Sequence, residues 1–89
     1  MAWIINYAES ALRQLKKLDK AIAVRVVDYM DARVATAEDP RTLGKHLSGP
    51  KLGDYWRYRV GDMRIICHIQ EGKMCVLVIE IGNRREVYR

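Results

Sequence analysis

No stretch of this 89-residue chain reaches the roughly 18 uninterrupted apolar residues that a membrane-spanning helix requires, so a protein built on such helices is excluded. The opening Met1-Ala2-Trp3-Ile4-Ile5-Asn6-Tyr7 lacks the basic cluster and long apolar stretch of a secretion signal. A cytoplasmic location away from any membrane is therefore the expectation. Cysteine is scarce: Cys67 and Cys75 are the only two. Both lie inside apolar runs, with no Cys or His at the close spacing of a metal site. In a reducing compartment they are expected as small core residues and not as a disulfide. Carboxylate pairs, metal-ligand clusters, a Ser-His-Asp order and a glycine-rich phosphate loop are all missing, so neither a metal nor a cofactor is expected. Repeats and low-complexity segments are missing too.

What is present is a folded composition, 49% hydrophobic, in a length that allows one core. A single domain over residues 1–89 follows as the expectation. Sixteen Lys and Arg against eleven Asp and Glu give a net charge of +5. In so short a chain that excess favours nucleic acid or an acidic protein as partner, and the distribution of the charge decides what it is for.

Trp3 to Tyr7 is short and rich in β-branched and aromatic residues, as a strand is. From Ala8 the period becomes helical. Ala8, Ala11, Leu12, Leu15 and Leu18 form an apolar stripe, with Arg13, Gln14, Lys16 and Lys17 turned outward, and the helix ends near Asp19. Ala23, Val27, Met30 and Val34, widened by Ile22, Val26 and Tyr29, predict a second helix that stops before Asp39-Pro40. Arg41 to Gly53 holds three glycines and Pro50 and reads as loop, with room for one helical turn holding Leu43 and Leu47. Tyr55 to Val60 alternates strictly, Gly61-Asp62 makes a two-residue turn, and Met63 to Ile69 returns. After a turn at Glu71-Gly72, the apolar run Met74 to Ile81 suits an interior strand. The order β-α-α-β-β-β predicts an α+β fold: a helical hairpin packed on one face of a small, mainly antiparallel sheet.

A two-residue turn at Gly61-Asp62 sets Val60 opposite Met63, Arg59 opposite Arg64, Tyr58 opposite Ile65, Arg57 opposite Ile66 and Trp56 opposite Cys67. Trp56, Tyr58, Val60, Met63, Ile65 and Cys67 then face the helices. Arg57, Arg59 and Arg64 face outward on the other side. Like charges directly opposite destabilise a sheet, and an anion relieves the repulsion because guanidinium forks match phosphate oxygens. The bland reading, solvated surface arginines, accounts for the charge but leaves the clustering to chance. Beyond the last strand, Arg84, Arg85 and Arg89 surround Tyr88. Cations beside an aromatic ring suit RNA, and a loosely ordered basic tail is the alternative. His68 shares the Arg64 face if its strand is regular, and could bind RNA or be a partly buried structural residue. His46 lies in the loop. Glu80 and Glu86 read as structural or ion-paired.

These residues resemble the RelE toxins of bacterial type II toxin–antitoxin pairs, within the wider RelE/ParE superfamily. The resemblance spans nearly the whole chain. It rests on the helix Ala11 to Leu18, on Leu47-Ser48-Gly49 leading into Tyr55-Trp56-Arg57-Tyr58-Arg59-Val60-Gly61-Asp62-Met63-Arg64-Ile65-Ile66, and on Gly82-Asn83-Arg84-Arg85-Glu86-Val87-Tyr88. It implies a RelE-like fold and a ribosome-dependent endoribonuclease that cuts messenger RNA without a metal, held in check by an acidic antitoxin in a hetero-oligomeric complex. Carried over by position, the catalytic set becomes Arg57, Arg59, Arg64, Arg84 and Tyr88. Arg85 and Arg89 beside Tyr88, and His68 on the Arg64 face, are expected as further RNA contacts. Where studied members carry lysines in the first hairpin strand, this chain has Arg57 and Arg59. Arginine keeps its proton, so these two stabilise charge, and proton transfer or stacking passes to Tyr88. A ParE-like member would poison DNA gyrase and cut nothing, and a third reading is a nucleic-acid-binding module without catalysis.

Overall fold

The computed structural model describes residues 2–47 and 55–83. Along the chain run β1 (Ile4–Tyr7), α1 (Glu9–Lys17), α2 (Lys20–Tyr29), β2 (Lys45–His46), β3 (Tyr55–Val60), β4 (Met63–Gln70) and β5 (Cys75–Asn83). The strands form one sheet in the order β1-β5-β4-β3-β2, in which β1 runs parallel to β5 and all other neighbours are antiparallel. The expected α+β architecture is therefore the one found, two helices on a mixed sheet.

The hairpin register matches the sequence expectation pair for pair, from Val60 opposite Met63 to Trp56 opposite Cys67. Gly61 carries it: its φ of +58° at the first turn position is that of a II′ turn, where glycine has no Cβ to clash. Tyr58, Met63, Ile65 and Cys67 are buried in the core with Val76, Val78 and Ile81 of β5 and with Ala11, Val26 and Met30 beneath the helices, while Trp56 and Val60 pack at its margin. Cys67 belongs to this core, and Cys75 is buried as well; both are free thiols.

Five local features differ from the expectation. Leu12 is 42% exposed. It lies about 100° round the helix from Ala11, outside the narrow seam that Ala11, Leu15 and Leu18 present to the core. Gln14 does not point to solvent. Its Oε1 accepts from the Ile81 N–H at 2.6 Å, and Ser10 Oγ, four residues earlier on the same helical face, donates to the Ile79 carbonyl at 2.8 Å. The cause is β1, whose pairing stops at Val78, so the outer edge of β5 beyond it needs other partners. A bulge there, with Ile66 opposite Glu80 but Cys67 opposite Val78, leaves Ile79 unpaired in the ladder and reachable from α1.

The second helix widens after Tyr29 into a π turn over Met30–Val34, closed by Ala35 N–H donating to the Met30 carbonyl at 2.8 Å. Residues four apart drift by about 40° per step on an α-helix. The wider turn takes up that drift, and Val26, Met30 and Val34 all stay fully buried. The connection between β4 and β5 is longer than a two-residue turn: a 3-10 turn at Glu71–Lys73 is followed by Met74 in the left-handed region, φ 47°, so that Gln70 pairs with Cys75.

The segment read as loop contains a 3-10 turn at Pro40–Leu43, with Asp39 capping it through the Arg41 N–H at 3.0 Å, and then β2. Gly44 lets β2 reach β3. A Cβ at this position meets the Arg57 carbonyl oxygen at 2.9 Å and Tyr58 Cε1 at 3.0 Å, distances that backbone cannot relieve without moving. Gly44→Ala is accordingly expected to cost about 1–3 kcal/mol of stability by forcing β2 away from β3. A denaturant midpoint equal to that of the wild type overturns this reading of the contact.

Candidate functional site

The face of the sheet turned away from the helices carries alternate residues of β3 and β4. Three cross-strand pairs follow one another there: Arg59 opposite Arg64, Arg57 opposite Ile66 and Tyr55 opposite His68. Paired Cβ atoms in such a ladder stand about 4.5–5.5 Å apart, so Arg59 and Arg64 share one small area. The third strand extends the row, because Lys45 of β2 pairs with Arg57. Four cations thus lie across three neighbouring strands.

They differ in depth. Arg59 is exposed and Arg57 half-buried, whereas Arg64 is only 4% exposed. The expectation that all three point into solvent is corrected for Arg64. A two-residue period assigns a side chain to a face and says nothing of how deeply it lies there. Arg64 occupies an interior strand flanked by β3 and β5, and Arg59 stands nearer the sheet edge.

Two hollows meet at Arg59. One, of about 160 Å³, is lined by Arg59, Gly61, Asp62 and Arg64. The other, of about 300 Å³, is lined by Thr42, Leu43, Gly44, Lys45, Arg57 and Arg59. Asp39 and Glu71, the carboxylates near the Pro40–Leu43 turn, are both engaged by Arg41 Nη1, at 3.1 and 3.4 Å. The face is cationic with an aromatic end, where the Tyr55 and His68 rings meet edge to face with centroids 5.4 Å apart.

Of the candidates drawn from the sequence, Arg57, Arg59, Arg64 and His68 are brought onto this face. Arg84, Arg85, Tyr88 and Arg89 lie outside the described residues. His46 is placed on β2 with its ring 5.0 Å from that of Trp56, opposite Trp56 in the ladder. Glu80 lines a separate hollow with Gln14 and Lys17 of α1. Two further residues of the face were not anticipated. Tyr55 could have been found, since it continues the alternation of Arg57 and Arg59. Lys45 could not, because a two-residue strand has no alternation to read.

Tyrosines elsewhere in the described residues serve the core. Burial pushes the Tyr58 hydroxyl well above its ordinary pKa, and it donates to the Pro40 carbonyl at 2.8 Å. Tyr7 is pushed up to about 12, by burial first and then by Asp31. Both keep their protons near neutrality, which excludes them as bases.

Comparison with known proteins supplies the family. Among solved structures the chain is similar to the toxin–antitoxin complex RelBE2 of Mycobacterium tuberculosis, with a TM-score of 0.85 and 22% identity over 97% of this chain and 95% of that one. It is similar to the isolated RelE toxin of E. coli, TM-score 0.73 and 21% identity, over 98% and 92% of the two chains. The archaeal RelE–RelB complex of Pyrococcus horikoshii gives a TM-score of 0.68 and 21% identity over 97% and 99%. At these identities the likeness establishes the fold. No curated protein matches the chain in sequence. The family model of the ParE toxin of the type II toxin–antitoxin system, parDE, matches residues 5–88. A match over nearly the whole sequence places it: the chain belongs to this toxin family, within the RelE/ParE superfamily.

Proposed function

We propose that this toxin acts as a ribosome-dependent endoribonuclease on messenger RNA. The observation that carries the proposal is the row of Lys45, Arg57, Arg59 and Arg64 across one open sheet face, next to the Tyr55–His68 aromatic pair. A phosphate bound there meets cations from three strands, and an unpaired base has rings to stack on. In the proposed reaction the ribose 2′-oxygen attacks the adjacent phosphorus, the bond from phosphorus to the 5′-oxygen breaks, and a 2′,3′-cyclic phosphate and a 5′-hydroxyl result. One proton leaves the 2′-hydroxyl and one is delivered to the departing 5′-oxygen. Negative charge gathers on the phosphoryl oxygens in the transition state, and fixed guanidinium groups stabilise it. Since arginine does not release its proton, proton transfer falls to Tyr88, with Arg84 completing the cationic set. The RelE proteins above that were crystallised with RelB support an antitoxin as the controlling partner.

A second reading, inhibition of DNA gyrase without cleavage, is favoured by the name of the matching family model, which is that of ParE toxins. One experiment separates the two. The toxin is induced in cells, transcript ends are mapped, and DNA supercoiling is followed in parallel. Cuts inside translated codons with normal supercoiling are expected. Intact transcripts with relaxed or broken DNA overturn the ribonuclease reading in favour of the second.

A further inference from the structure

We infer that Lys45 builds a second phosphate subsite, beside the Arg59–Arg64 pair, which holds the phosphate next to the one that is cut. The inference rests on the reading of this face as an RNA site and adds a residue and a position to it.

The two hollows that meet at Arg59 are chemically unequal. The smaller, between Arg59 and Arg64, counts the acidic residue Asp62 in its lining. The larger has Lys45, Arg57 and Arg59 and no carboxylate among its described lining residues. Asp39 and Glu71, which meet at Arg41 near the Pro40–Leu43 turn, are held by it. Thr42 adds a hydroxyl, but that group already donates to the Asp39 carbonyl at 2.8 Å, so it can only accept from a protonated ligand. The hollow thus brings three cations together, of which Lys45 is the one supplied by β2. Lys45 is exposed at the sheet edge, and its ammonium is a compact charge on a flexible stem, suited to following a mobile phosphate. Arg57 and Arg59 are two residues apart on one strand, about 6.6–6.8 Å along it. Arg59 lines both hollows, so one strand can bridge two successive phosphates of an extended nucleic acid.

The test uses a single-stranded oligoribonucleotide made uncleavable by 2′-O-methyl groups, with binding measured over a range of salt concentrations. Each single-strand phosphate contact contributes a slope of about 0.7 to the fall of log affinity with log salt. Lys45→Ala is expected to lower the slope by about that amount, Lys45→Arg to keep it, and Lys16→Ala, on the outer face of α1, to leave it unchanged. A thermal melt confirms that each variant is folded. Wild-type protein that binds neither the oligonucleotide alone nor ribosomes programmed with it overturns the RNA reading itself. Normal wild-type binding with an unaltered slope in Lys45→Ala overturns the subsite alone, as does an equal loss in Lys16→Ala.

Discussion

Arg59→Ala is expected to slow cleavage of ribosome-bound message by about 10²–10³-fold while leaving thermal stability within about 0.5 kcal/mol of wild type. The rate figure is that for removing one preorganised donor from a developing oxyanion. The stability figure follows from exposure, since Arg59 stands in solvent between the two hollows. Arg64→Ala should behave differently although the two residues are cross-strand partners. With Arg64 only 4% exposed, its alkyl stem is part of the packing, and truncation is expected to cost about 1–3 kcal/mol of stability as well as activity. Initial rates on programmed ribosomes, set beside denaturant midpoints, separate the two effects. An Arg59→Ala protein that cuts at the wild-type rate removes the cationic row from the chemistry. Equal loss of stability in both variants refutes the difference in depth.

That difference marks where residue patterns stop informing. Strict alternation through Tyr55 to Val60, with glycine first in a two-residue turn, determines register and face, and every pair of the hairpin lies where those rules put it. Depth depends on what stands beside the strand. Only the completed sheet, with β5 on one side of β4 and β3 on the other, shows that Arg64 is inside and Arg59 outside. Lys45 was hidden for a related reason: its place on this face comes from a partner, Arg57, twelve residues away in sequence, and two residues of strand carry no period. Gln14 was misassigned because a polar residue on a helix is read as solvent-facing unless a free backbone group is known to await it. The free group here, Ile81 N–H, exists because β1 ends early. Half of the candidate residues drawn from the sequence, Arg84, Arg85, Tyr88 and Arg89, fall outside the described residues, and their roles stay proposals.

The site also depends on the core through one residue, and the largest expected loss of stability lies there. Tyr58→Ala should destabilise the fold by about 3–5 kcal/mol, the cost of emptying a fully buried aromatic position. Against the 5–15 kcal/mol typical of a domain, that removes a large part of the total, and for a chain of this size it lowers the melting temperature by some tens of degrees. Tyr58→Phe isolates the hydroxyl. It keeps the ring against the backbone of Gly44 and removes the 2.8 Å hydrogen bond to the Pro40 carbonyl. A loss of about 0.5–1.5 kcal/mol is expected for the Phe variant, the net worth of one hydrogen bond, since the carbonyl keeps its place in the 3-10 turn. The Pro40–Leu43 turn that this bond anchors leads directly through Gly44 into Lys45. Loosening it therefore should reach the cationic face: Tyr58→Phe is predicted to shed part of the Lys45 contribution to the salt slope while Arg59 and Arg64 act as before. If Tyr58→Phe lowers stability but leaves the slope whole, β2 is held in place by its pairing with β3 alone, and the tyrosine is a core residue without influence on the site.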